Sequence, residues 1–177
     1  MFDLDEFVSQ CRASLAESQP MLAIKEHLDR TIATPNEVAA ALSPEPGVAL
    51  LHRSDELTIV SVVVPPGLPK TPPHDHRMWA LVGIVGGQED NEFFRRREPG
   101  LVESGGRSIK TSESLAMGDD TIHAIWNPLE HSALAAVHIY GGDLVAAERS
   151  MWTDPDFTEQ PYDDKKVVGG RGIRGRC

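Results

Sequence analysis

The 177 residues are 40% hydrophobic and 25% charged, an ordinary globular mixture sized for one domain. A formal net charge of −10 argues against a nucleic-acid-binding surface, and no apolar run approaches the ~18 residues of a membrane span. The two cysteines, Cys11 and Cys177, stand at opposite ends and form no disulfide framework, and the acidic start "MFDLDEFVSQ" has no signal-peptide pattern, so a cytoplasmic location is expected.

The first third reads as helical. Phe2, Leu4, Phe7, Val8, Cys11 and Leu15 recur at helical spacing, and Met21, Ile24, Leu28 and Ile32 repeat the pattern. In "TPNE", Thr34 is expected as N-cap, Pro35 as the first helical residue and Glu37 as the closing member of a capping box. That helix is expected to end in "SPEPG", residues 43–47. With apolar stripes on one side, the helices are expected to cover the rest of the fold and to supply no metal ligand.

After Gly47 the texture changes to short β-branched and aliphatic runs punctuated by Gly and Pro: "VALLH", "LTIVSVVVPP", "WALVGIVGG", "NEFFRRR", "TIHAIWN" and "ALAAVHIYGGDLVAA". No helix-length connection separates them, so an antiparallel sandwich or barrel is expected. From Ser150 the strand pattern fades. Residues 165–177 hold Lys165, Lys166, Arg171, Arg174 and Arg176 and no acid, while the preceding 164 residues carry a net −15. Such a tail is expected to dock on the acidic body or on a partner subunit. The expected organisation is a helical cover over residues 1–47, a barrel over 48–148 and a docked tail over 149–177.

One stretch carries chemistry. In "PPHDHRMWALVGIVGG", His74 and His76 are two residues apart, so on a strand they share a face while Asp75 points away. Two imidazoles bind a divalent ion poorly, and a third ligand must come from another strand. His123 in "MGDDTIHAIWNP" is the best placed, in a β-branched run just after Gly118. The bland alternative is a pair of exposed loop histidines. His27 fits a helix surface and His131 a polar loop, and neither they nor His52 compete as ligands.

These motifs, in this order, resemble those of the cupins. The first cupin motif (Gly, spacer, His-X-His, Glu, Gly) matches Gly67, His74, His76, Ala80 and Gly87, and the second (Gly, His, Asn) matches Gly118, His123 and Asn127. The resemblance covers about residues 48–148. It implies an all-β cupin double-stranded β-helix, a jelly-roll barrel, with N-terminal helices. Ala80 stands where many cupins carry a carboxylate ligand, so the implied metal set is His74, His76 and His123 alone.

A narrower resemblance is to cysteine dioxygenase and the bacterial thiol dioxygenases. "AAVHIYGGD" places His138 and Tyr140 15 and 17 residues beyond His123, as in the His-X-Tyr pair of that family, and Trp79 follows the "HDH" as in its bacterial members. Two positions depart from it. Ala136 replaces a frequent Ser, and Ala80 stands where some animal members carry a Cys cross-linked to the Tyr, so Tyr140 is expected unmodified. The resemblance implies Fe(II), with Zn or Ni able to take the same ligands. It also implies a small thiol of cysteine or 3-mercaptopropionate type, O2 as co-substrate and a sulfinate product. No nucleic-acid or membrane partner is expected, and the chain is expected as monomer or homodimer.

Three neutral imidazoles leave a +2 charge uncompensated, which favours a thiolate and leaves coordination positions open. Tyr140 is expected to donate a hydrogen bond to oxygen or substrate, with His138 orienting its hydroxyl. Arg53 in "LLHRSDEL" matches the carboxylate-binding Arg of cysteine dioxygenases, at a shorter spacing to His74; its alternative is a surface pair with Asp55 or Glu56. Glu89 and Glu92 fit a polar hairpin or a late carboxylate ligand, and Arg95, Arg96 and Arg97 fit a solvated strand edge. Two other readings compete: another metal-dependent cupin enzyme (a zinc hydrolase or a different oxygenase), and a non-catalytic cupin that senses a small acid.

Overall fold

The computed structural model of the chain describes residues 1–42, 44–98, 100–167 and 173–174. Helix α1 (Leu4–Ala13) starts at Asp3, whose carboxylate accepts the Glu6 amide at 3.0 Å. Helices α2 (Pro20–Ile32) and α3 (Pro35–Ala41) each begin with proline, whose missing N–H is no loss at a helix start. The expected capping box at α3 does not form. The Thr34 hydroxyl turns back to the Thr31 carbonyl, and Glu37 pairs with the terminal amine of Met1.

Twelve strands follow among the described residues. They are β1 (Gly47–Arg53), β2 (Thr58–Val64), β3 (His74–Asp75), β4 (Ala80–Gly86), β5 (Gln88–Arg97) and β6 (Gly100–Lys110). After these come β7 (Ser114–Met117), β8 (Ile122–Trp126), β9 (Leu134–Tyr140), β10 (Ser150–Thr153), β11 (Thr158–Pro161) and β12 (Ile173–Arg174), with the one-turn helix α4 (Asp164–Val167) before the last. One sheet has the order β12-β1-β2-β9-β4-β7, the other β11-β10-β3-β8-β5-β6. From β2 to β10 the chain crosses between sheets at nearly every connection, and every pairing but that of β1 with β12 is antiparallel. This is the jelly roll, as expected.

Strands β2, β4 and β9 bury both faces, which is why they read as continuous apolar runs. Alternation sends Ile59, Leu81, Val137 and Ile139 outward to the helices, where they meet Phe7, Ile24, Leu28 and Ile32. It sends Val60, Val62, Val82, Ala136 and Tyr140 inward, between the sheets. Gly83 lets α2 lie close, since a Cβ there would come within 2.7 Å of Leu28 Cδ1. Cys11 packs in this helical interface, and burial pushes its thiol up to about 12, which leaves it an inert core residue.

The strand pattern does not end near residue 148. Strands β10 and β11 form a hairpin beside β3, burying Met151 and Trp152. Each strand is four residues long and the turn between them holds Pro and acids, too little alternation to register as sheet. Ile173 and Arg174 then lie parallel to β1, and Arg174 donates to the carbonyls of Glu45 and Pro46. Backbone pairing thus holds this part of the basic tail. Arg171, Arg176 and Cys177 lie outside the described residues. No helix among the described residues is long and apolar enough to cross a membrane.

Candidate metal centre

Strand β3 is two residues long because Pro72 and Pro73 precede it and Arg77, with φ 61°, turns the chain away soon after it. That short pairing fixes the register. His74 lies directly across from His123 on β8, and His76, two residues on, turns to the same point. The three ring centroids are 5.2, 4.8 and 5.0 Å apart, and one nitrogen of each ring lies within 4.8 Å of the others. All three rings are buried. Asp75, between them, is buried on the other face, where it accepts the Ser150 amide at 2.7 Å and pairs with Arg77.

The outer nitrogens are held. His74 Nδ1 donates to the Pro72 carbonyl at 3.0 Å, and His123 Nδ1 lies 2.9 Å from Asn91 Oδ1. His123 Nε2 is left buried with no hydrogen-bond partner, a lone pair without use in the protein alone. Backbone and amide oxygens behind imidazoles are the usual supports of metal-ligating histidines. Burial holds His74 down at about 4, with repulsion from Arg149 and His138 adding to it against the Pro72 hydrogen bond. Burial likewise holds His76 and His123 well below the ordinary histidine value, with repulsion from His123 next for His76 and from His74 next for His123. The rings are therefore neutral, the form that ligates. The group is able to bind a metal, and the donor set fits a divalent ion. Ala80 brings no side-chain donor: it pairs in register with Tyr140.

The histidines line a cavity of about 280 Å³ between the sheets. Val48, Val60, Val62, Ile125 and Leu144 make its apolar walls, and His138, Tyr140, Arg149 and Tyr162 are its other polar residues near the histidines. The Tyr140 ring lies 4.9 Å from that of His76, and its hydroxyl is 3.1 Å from His138 Nδ1. Burial raises the Tyr140 phenol well above its ordinary value, so it keeps its proton at neutral pH.

Two expectations change. Arg53 is not at the cavity: it sits at the end of β1, 42% exposed, in a bidentate pair with Asp143 of the turn after β9. The arginine in the cavity wall is Arg149. It is buried, lies 3.6 Å over the Tyr162 ring, reaches Asp164 at 3.7 Å, and leaves its Nε without a partner. Nothing periodic in the sequence marks Arg149, which follows a loop and precedes the short β10. Glu89 does lie in the β5–β6 hairpin, opposite Ile109, but it is fully buried, 3.0 Å from the Asn91 side-chain amide and 3.4 Å from His138 Nε2. Arg95, Arg96 and Arg97 lie beyond Phe94, where the pairing of β5 with β8 ends, and are exposed as expected; Arg96 pairs with Glu159 and Asp75 and stacks on Trp152. Glu92 pairs with Lys70, which lines the cavity. Asn127 of the second motif ties loops together, donating to the Val64 and Ser132 carbonyls. His27, His52 and His131 do not line the cavity.

No family model matches the chain. Similar solved structures include the DMSP lyase DddQ from Ruegeria pomeroyi DSS-3, at 19% identity and TM-score 0.43 over 55% of this chain and 44% of that one. An RmlC-like cupin with a double-stranded β-helix fold from Methanocaldococcus jannaschii matches at 14% identity and TM-score 0.46, over 58% and 84%. Hydroquinone 1,2-dioxygenase PnpCD matches at 9% identity and TM-score 0.42, over 60% and 69%. The chain thus spans less than half the length of the lyase. These likenesses are of fold.

Proposed function

We propose that this cavity is the active site of a non-haem iron-dependent thiol dioxygenase. One observation carries the reading: a trio of neutral imidazole donors shares a cavity wall with the hydrogen-bonded Tyr140–His138 pair. In the reaction a thiol and O2 give a sulfinic acid. Both oxygen atoms bond to sulfur, the sulfur gives up four electrons to the O2, and no other reductant is needed. Iron(II) held by His74, His76 and His123 would supply thiolate binding and O2 activation.

The chain's own residues do the rest. Because the donor set carries no charge, the site favours an anionic sulfur. Tyr140 places its phenol beside His76, where its oxygen contacts the substrate, and His138 holds it there. Arg149 supplies the charge for a substrate carboxylate. Its planar fork suits bidentate binding, and its unpartnered Nε is a donor in want of an acceptor. Val60, Val62 and Leu144 keep the surroundings dry. The substrate class is a small thiol that carries a carboxylate, of cysteine or 3-mercaptopropionate type.

The test is oxygen uptake by iron-loaded protein with a panel of small thiols, with and without a carboxylate. The expected result is one O2 consumed per sulfinate formed, with the acids preferred. No uptake with any thiol overturns the proposal.

A further inference from the structure

We infer that Glu89 is a positioning residue that sets opposite tautomers on His123 and His138, and so decides which nitrogen each ring presents. A carboxylate has only acceptor sites, so every polar group against it must donate. Glu89 is 0% exposed, and each of its oxygens faces a side-chain nitrogen. Its Oε1 takes the side-chain N–H of Asn91 at 3.0 Å, which fixes the Asn91 amide and turns Oδ1 to His123 Nδ1 at 2.9 Å. An amide oxygen only accepts. His123 therefore carries its proton on Nδ1 and presents a bare Nε2 beside His74 and His76.

The second oxygen, Oε2, faces His138 Nε2 at 3.4 Å. Both atoms are buried and have no other partner. Two lone pairs so placed repel, whereas a proton on Nε2 turns the contact into a charge-assisted hydrogen bond after a small ring rotation. His138 Nδ1 is then bare and accepts from the Tyr140 hydroxyl at 3.1 Å. The sequence leads one to expect Tyr140 as a donor to the cavity. With its proton committed to His138, its oxygen is instead an acceptor, suited to orient the S–H of an incoming thiol. That last consequence rests on the thiol-dioxygenase reading; the tautomer assignment does not.

The test uses metal-free protein labelled with 15N-histidine, with no substrate. Protonated and bare ring nitrogens resonate far apart, and single His123→Gln and His138→Gln variants assign the signals. In the wild type, His123 is expected protonated at Nδ1 and His138 at Nε2. A His138 ring protonated at Nδ1, or at both nitrogens, overturns the inference without any variant. Glu89→Gln keeps the shape but has one oxygen and one amide, so it cannot accept from both neighbours. At least one of the two histidines is expected to change its nitrogen signature, and folded Glu89→Gln with both signatures unchanged also overturns the inference. Where the wild type oxidises thiols, Glu89→Gln is expected to lower kcat about 10- to 100-fold with little change in KM, as losses of supporting hydrogen bonds do. A wild type with the expected tautomers and no thiol turnover sinks the enzymatic reading alone.

Discussion

Strand β9 has two faces with opposite duties. Val137 and Ile139 point to the helices and are surrounded by aliphatic side chains. His138 and Tyr140 point into the cavity and meet imidazoles, a carboxylate and each other. Both faces are equally buried, so burial alone does not separate core from site. What separates them is partner chemistry: the helix side stabilises by apolar transfer, and the cavity side holds polar groups that cost stability unless each finds a partner.

The sharpest way to break the comparison is on the helix side. Ile139→Ala removes a fully buried side chain and is expected to cost about 2–5 kcal/mol, read by denaturant unfolding. Metal stoichiometry of the folded protein should not change. The cavity side should instead reveal itself through pH. The three histidines stay neutral when folded, with His74 lowered from 6.5 to about 4. Unfolded chains bind protons in that window and the folded chain does not. The stability of metal-free protein should therefore fall as pH drops from about 6.5 towards about 4, and bound metal should raise stability across the window without flattening that slope. A flat stability profile across this window would mean that the rings are not buried neutral.

Tyr140→Phe is the matching change on the cavity side. It keeps the ring and removes the hydroxyl, so turnover should fall about 10- to 100-fold, on the order of 1.4–2.7 kcal/mol of barrier, with metal content unchanged. The two arginines sharpen the comparison further. Arg149→Gln should raise KM for carboxylate-bearing thiols about 10-fold while sparing a thiol without a carboxylate. Arg53→Gln, on an exposed pair outside the cavity, should change either parameter by less than about two-fold.

How legible these features are in the sequence follows the range of the interactions. Period-two and period-3.6 patterns are local, so β1, β2, β4, β5, β8, β9 and the helical cover can be read directly, whereas the exposed, glycine-rich β6 and the four-residue β7 cannot. The His-X-His pair is local too, and ordered motifs bring in His123. Arg149 is different: its place depends on β10 pairing with β3, a contact between residues 151 and 74. Glu89 sits in "QEDNE", whose composition reads as a turn. It is buried because β5 runs between β6 and β8 with Glu89 and Asn91 turned inward, which no local pattern records. Arg53 misleads because its family match rests on neighbourhood, while Asp143, 90 residues away, decides where its guanidinium goes.

The account rests most on the three histidines acting as one metal centre. The direct measurement is metal content, by elemental analysis, of wild type and of His74→Ala, His76→Ala and His123→Ala, each checked for native β structure by circular dichroism. One divalent ion per wild-type chain, with most of it lost in every folded single variant, is the expected result. Full metal occupancy in all three variants would contradict the account, because it would place the ion somewhere other than the cavity between the sheets.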